Sequence, residues 1–124
     1  MSPTLKKLRY RSGMRVFVTG APAGFEAELA RAGKIARAGN REKDLDLVQA
    51  FFTRRTHLER DLSRLRERLG PRGILWICYP KGGALGTDLN RDLVRESAER
   101  AGLRTVGIVA VDAVWSALRL NFSH

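Results

Sequence analysis

Gly73-Ile-Leu-Trp-Ile-Cys-Tyr-Pro-Lys-Gly-Gly-Ala-Leu-Gly-Thr-Asp-Leu-Asn90 is an apolar run that meets a proline, then a glycine-rich loop, then the start of a helical pattern. It reads as strand, turn and helix. Ile74 to Tyr79 joins strand length to apolar, aromatic and β-branched side chains on both faces, the pattern of a strand buried within a parallel sheet. Pro80 cannot continue the ladder, so the strand is expected to stop there. Gly82, Gly83 and Gly86 permit backbone angles closed to other residues, and Thr87 or Asp88 can cap the helix that follows.

Before this stretch, Leu58, Leu62, Leu65 and Leu69 recur at i, i+4, i+7 and i+11 and predict a helix with one apolar stripe. Thr56 and Glu59 have capping-box spacing, with Thr53 as a rival start, and Gly70-Pro71 is expected to end the helix. Leu45 to Phe52 is dense enough in apolar residues for another buried strand. Arg15 to Thr19 is a shorter one, ending at Gly20-Ala21-Pro22-Ala23-Gly24. Phe25, Leu29 and Ala32 then predict a helix of about two turns closed by Gly33. Lys34 to Ala38 reads as a weak edge strand before the Gly39-Asn40 turn. After the opening stretch, Leu89, Leu93, Val94, Ala98 and Ala101 mark a helix stopped by Gly102, and Thr105 to Val111 a further strand. Asp112-Ala113 is too short to hold a helix, so Trp115 to Leu120 is expected to return antiparallel. Strands alternating with one-striped helices mean an α/β fold with a mostly parallel sheet.

The 124 residues fit one domain. Residues 1–12 are expected to be a basic arm leading into the first strand, its first few residues mobile, because Lys6, Lys7, Arg9 and Arg11 have no acid among them, and residues 13–124 to be the α/β domain. The net charge is +10, mostly from arginine, 18 Arg against 5 Lys. Such a charge attracts polyanions, although an arginine-rich composition gives the same number with no partner. The single Cys78 reads as a small buried hydrophobe in a reducing, cytoplasmic setting. No apolar run of about 18 residues predicts a membrane span, and the N-terminus lacks the apolar region of a secretory signal. Nothing in the sequence indicates an oligomeric state.

Gly13 to Gly20, Leu45 to Phe52, the Leu58 helix and Pro71 to Trp76 resemble class I methyltransferases. Tyr79-Pro80-Lys81, the run Thr87 to Asp92, and Val111-Asp112 through Trp115-Ser116 are more specifically similar to a short uncharacterised bacterial family, a domain of unknown function that reads as such a fold cut down. The resemblance spans nearly the whole chain. It implies a single Rossmann-like sheet with helices on both faces, in spatial order second, first, third, fourth, sixth, fifth strand, only the sixth antiparallel. It supplies no activity. Adenosylmethionine is the cofactor it implies, yet Pro22 occupies the middle of Gly20-x-x-x-Gly24, and Lys34 to Asn40 offers no acid for ribose hydroxyls.

Other chemistry is poorly supported by spacing. His57 and His124 stand far apart, so neither a metal site nor a Ser-His-Asp set is suggested. Asp88, Asp92, Glu96 and Glu99 follow helical surface spacing beside arginines. In an open parallel sheet, ligands lie beyond the carboxyl ends of the strands. There Gly20, Gly24, Arg54, Lys81, Gly82 and Gly83 are expected to border one crevice able to hold a small anionic or nucleotide-like ligand, without catalysis. The alternative is a binder of the DNA or RNA phosphate backbone, using the basic arm with the His57, Arg60, Arg64, Arg68 row, through contacts that salt would weaken. A working adenosylmethionine-dependent methyltransferase is the further alternative.

Overall fold

A computed structural model describes residues 1–123, which form α1 (Pro3–Lys7), β1 (Arg15–Thr19), α2 (Ala23–Ala30), β2 (Ala36–Arg37), β3 (Leu45–Phe51), α3 (Arg55–Glu67), β4 (Leu69–Pro80), a 3-10 segment (Lys81–Gly86), α4 (Arg91–Arg100), β5 (Leu103–Ala110) and β6 (Trp115–Phe122). The six strands make one sheet in the order β2-β1-β3-β4-β6-β5. Neighbours pair in parallel from β2 to β4, and β6 is antiparallel to both β4 and β5. This is the expected α/β architecture and strand order. Both edges of the sheet are irregular or short: β2 has two residues, and the β5 ladder shifts register between Thr105 and Gly107.

Alternation along the strands sends side chains into two cores. On one face Leu5, Leu8, Phe25 and Leu29, from α1, its following loop and α2, pack with Val16, Val18, Leu47 and Trp76. On the other, the α3 stripe Leu58, Leu62 and Leu65 and the α4 residues Val94 and Ala98 pack with Val48, Ala50, Leu75, Ile77 and Leu118. Fully burying a leucine contributes about 1.5–3 kcal/mol, so each helix is fastened by a few such side chains.

Three local expectations are corrected. Residues 1–12 are not an arm apart from the domain but pack onto the sheet. Ser2 Oγ accepts from Leu5 N at 3.2 Å and caps α1, Leu5 and Leu8 have no exposed surface, and Tyr10 is buried. The cations between these apolar residues face solvent, which is why charge alone misread the segment. Second, α3 ends at Glu67, not at Gly70-Pro71. Leu69 is buried as the first residue of β4, opposite Leu45, and Leu45 N donates to Arg68 O at 3.0 Å. Third, the caps are exchanged. Asn90 Oδ1 accepts from Leu93 N and caps α4. Asp88 Oδ1 instead accepts from Arg55 N at 2.8 Å at the start of α3, and the Thr56–Glu59 box does not form; Glu59 pairs with Arg55 and Arg100.

The tie between the N-terminal segment and the sheet is polar as well as apolar. Trp76 Nε1 donates to Leu8 O at 2.8 Å, and Tyr10 Oη donates to Gln49 Oε1 at 2.7 Å. Gln49, with no exposed surface, then donates from Nε2 to Cys78 Sγ at 3.4 Å. Tyr10→Phe leaves the Gln49 oxygen buried without its donor, a change expected to cost about 1–3 kcal/mol of unfolding free energy in urea titrations. A chain beginning at Gly13 loses Leu5, Leu8 and Tyr10 together and is expected to show no cooperative unfolding transition.

Candidate functional site

The chain leaves β1 through α2 to reach β2 on one side, then crosses to β3 on the other. The loops after β1 and β3 therefore diverge at the carboxyl ends of the strands, the position where open α/β sheets hold ligands. The order of β1, β3 and β4 makes the loops carrying Gly20, Arg54 and Lys81 neighbours, and no cavity joins these three residues among the described ones.

Each of these residues also has a structural task. Gly20 has φ +71°, and a Cβ there would lie 2.6 Å from Phe51 O, so this glycine serves the close packing of β1 on β3. Gly24 lies in the first turn of α2, where a Cβ would meet open space. Arg54 precedes α3, and its Nη1 donates to Gly86 O at 3.3 Å. Lys81 Nζ donates to Asp112 O at 2.9 Å, while Lys81 N donates to Val114 O. Gly82 and Gly83 take φ of +58° and +75° in the 3-10 segment and face open space. Thr87 Oγ1 donates to Thr53 O at 2.6 Å, tying the β3 and β4 loops together.

A separate cavity of about 330 Å³ lies over β1 on the α3 side, lined by Phe17, Thr19, Asn40, Asp61, Arg64 and Arg68 among others and by none of the six residues singled out in the sequence. Phe17 and Thr19 are only half-buried. Arg68 is 8% exposed, its guanidinium carbon lies 3.9 Å from the centre of the Phe17 ring, its Nε donates to Glu42 O at 2.8 Å, and its Nη2 donates to Gly39 O. Burial opposes its charge, yet an arginine stays protonated, so the cavity wall carries a cation held by carbonyls and an aromatic face. Sequence reading missed Phe17, Thr19 and Asn40; the polar Asn40 directly after the edge strand was the available signal.

The predicted cationic row on α3 is not a free stripe. Arg60 and Arg64 both pair with Asp61, and Arg68 is buried, leaving His57 exposed at the head of the helix. His124 lies outside the described residues. Among the described residues no three His, Cys, Asp or Glu side chains cluster as metal ligands, and no helix is long and apolar enough to cross a membrane. Burial pushes the Cys78 thiol up to about 12 and raises the Tyr10 and Tyr79 phenols, so these groups are held in their neutral forms.

No family model matches the sequence, and no curated protein is detectably similar to it. Solved structures with the same fold are numerous. A TehB-like SAM-dependent methyltransferase from Corynebacterium glutamicum aligns with 96% of this chain and 85% of its own at 13% identity and a TM-score of 0.59. A ribosomal protein L11 methylase from Lactobacillus delbrueckii subsp. bulgaricus aligns over 98% and 75%, at 11% identity and a TM-score of 0.66. The magnesium protoporphyrin IX methyltransferase of Synechocystis, solved with bound SAM, aligns over 97% and 74%, at 9% identity and a TM-score of 0.66. The chain has the fold of SAM-dependent methyltransferases, that is, of adenosylmethionine-dependent enzymes.

Two measurements probe this site. Gly20→Ala adds a steric clash to a left-handed backbone and is expected to destabilise by more than Gly82→Ala, where the angle alone costs roughly 1–2 kcal/mol. Cys78 ionises near 9 in the unfolded chain and near 12 in the folded one. Between those values the unfolded state binds fewer protons, so stability falls as pH rises, with Cys78 contributing up to about 1.4 kcal/mol per unit. Stability curves at several alkaline pH values are expected to be flatter for Cys78→Ala.

Proposed function

We propose that this chain is a methyltransferase-like domain that binds a small anionic or nucleotide-like ligand at the carboxyl end of its sheet and performs no chemistry on it. The observation that carries this reading is the cavity over β1 on the α3 side, which reaches the carboxyl end of that strand at Thr19 and holds the Arg68 guanidinium 3.9 Å from the Phe17 ring centre, with Asn40, Asp61 and Arg64 in the same wall. A guanidinium so placed suits the face of a nucleobase, and a partly exposed arginine beside it suits a phosphate or carboxylate. Arg54, Lys81 and the N–H groups of Gly82, Gly83 and the first turn of α2, including Gly24, would extend the anion site across the crevice.

Adenosylmethionine fits these residues poorly. Gly20 turns its open side to Phe51 O, Pro22 brings no N–H to the start of α2, and Asn40 stands after β2 with no carboxylate in the Lys34 to Asn40 segment. A nucleotide is the better match to a wall that carries Arg68 and Arg64 beside Asp61. The neutral, buried state of Cys78 and Tyr10 supports a binding role, since neither supplies a nucleophile or base at neutral pH.

Calorimetry of the full chain with adenosylmethionine, its demethylated product, and adenine and guanine nucleotides tests the reading. Saturable binding of a nucleotide is expected, weakened about tenfold by Arg64→Ala, as for loss of a charged hydrogen bond. Absence of saturable binding to every ligand, with folding intact, would remove this function. Tight adenosylmethionine binding with methyl transfer would replace it by the enzymatic alternative.

A further inference from the structure

On the opposite face of the sheet, Lys6, Arg9, Arg11, Arg72 and Arg119 line one concavity of about 460 Å³, floored by Tyr10 and Ile74. No carboxylate lines it. Elsewhere arginines such as Arg15, Arg37, Arg55, Arg64, Arg95 and Arg100 each lie within 4.0 Å of an acid. Among the described residues, none of the five cleft cations makes an ion pair or a side-chain hydrogen bond. They come from three parts of the chain, the α1 segment, the start of β4 and the end of β6, so helical repetition does not produce the cluster.

Arg9 adds a second observation. It follows α1 with φ +71°, a left-handed position that glycine fills without strain and other residues fill at a cost of roughly 1–2 kcal/mol. The long cationic side chain is present at the rim of the cleft despite that cost.

We propose that this cleft binds the phosphate backbone of a nucleic acid. Converging like charges repel one another and are relieved by a polyanion that releases its own counterions on binding. A concave surface suits a strand, whereas a bilayer needs apolar side chains beside the charges. Ile108, the most exposed apolar residue of β5, pairs in register with Leu118 and so shares the α4 face, away from Arg119. The cleft is separate from the cavity over Phe17, and this inference stands or falls independently of a ligand there.

Fluorescence anisotropy of labelled single-stranded RNA and duplex DNA, with the full chain between about 50 and 200 mM salt, provides the test. Engaging four or five cations is expected to give a logarithmic salt slope near four on duplex, at ~0.9 per phosphate, and a smaller one on a single strand, at ~0.7. Arg72→Gln/Arg119→Gln is expected to lower the duplex slope by roughly 1.8. Arg91→Gln/Arg95→Gln removes the same formal charge from α4 and is expected to leave the slope unchanged. Lys6→Gln/Arg11→Gln provides a second cleft variant should the first fail to fold by near-ultraviolet circular dichroism. Equal losses from cleft and α4 variants would overturn the proposal, reducing it to a net-charge effect. So would absence of binding to either nucleic acid, tighter binding to phosphatidylserine vesicles, or saturable binding of tripolyphosphate alone.

Discussion

The buried polar groups at the centre of the sheet set the terms for this fold. Gln49 and Trp76 belong to the two middle parallel strands and point to the same face, where neither can reach water. An amide or indole buried without partners costs a few kcal/mol, enough to consume much of a small domain's stability. The partners come from the first ten residues: the Leu8 carbonyl receives the indole, and the Tyr10 hydroxyl reaches the amide. A segment that composition marks as a charged tail is thereby required by the core. Its course over the sheet in turn places Lys6, Arg9 and Arg11 beside Arg72 and Arg119.

Four helices on two faces do not cover six strands evenly. On the α3 and α4 face, Phe17 and Thr19 of β1 remain half-buried, and the Phe17 cavity opens there. On the α1 and α2 face, the β5–β6 end is the less covered part, with Arg119 half-buried and Gly107 exposed opposite it. The two concave regions thus lie at diagonally opposed corners of the sandwich. Their chemistry differs accordingly: one offers a guanidinium against an aromatic ring among polar neighbours, the other a cluster of cations without an acid.

Much of this architecture was legible because periodicity reports burial. The leucines of α3, the apolar runs of β3 and β4 and the short Asp112-Ala113 connection each permit few structures, and the resemblance to methyltransferases ordered the strands. What escaped was decided by distant partners. No local pattern could show that Asp88 would serve the start of α3, that Leu69 would pair with Leu45, or that Tyr10 would find Gln49. The same holds for function. Gly20, Arg54 and Lys81 were recognisable as loop residues at the strand ends, but the open cavity over β1 is lined instead by Phe17, Asn40 and Arg68, from separate parts of the chain. Arg72 and Arg119 had no sequence signal, since each is an isolated cation within a strand.

The irregular edges of the sheet bear on how the protein behaves when concentrated. An exposed strand edge is a template for another chain, and Val106 and Ile108 would make β5 an attractive one. The register shift at Val106 breaks the even spacing of donors and acceptors that a second strand would need, and bulges of this kind also increase local twist. At the far side, β2 offers only two residues, too few to seed a ladder. Both edges of the sheet thus oppose strand-by-strand growth, although β5 exposes a valine and an isoleucine.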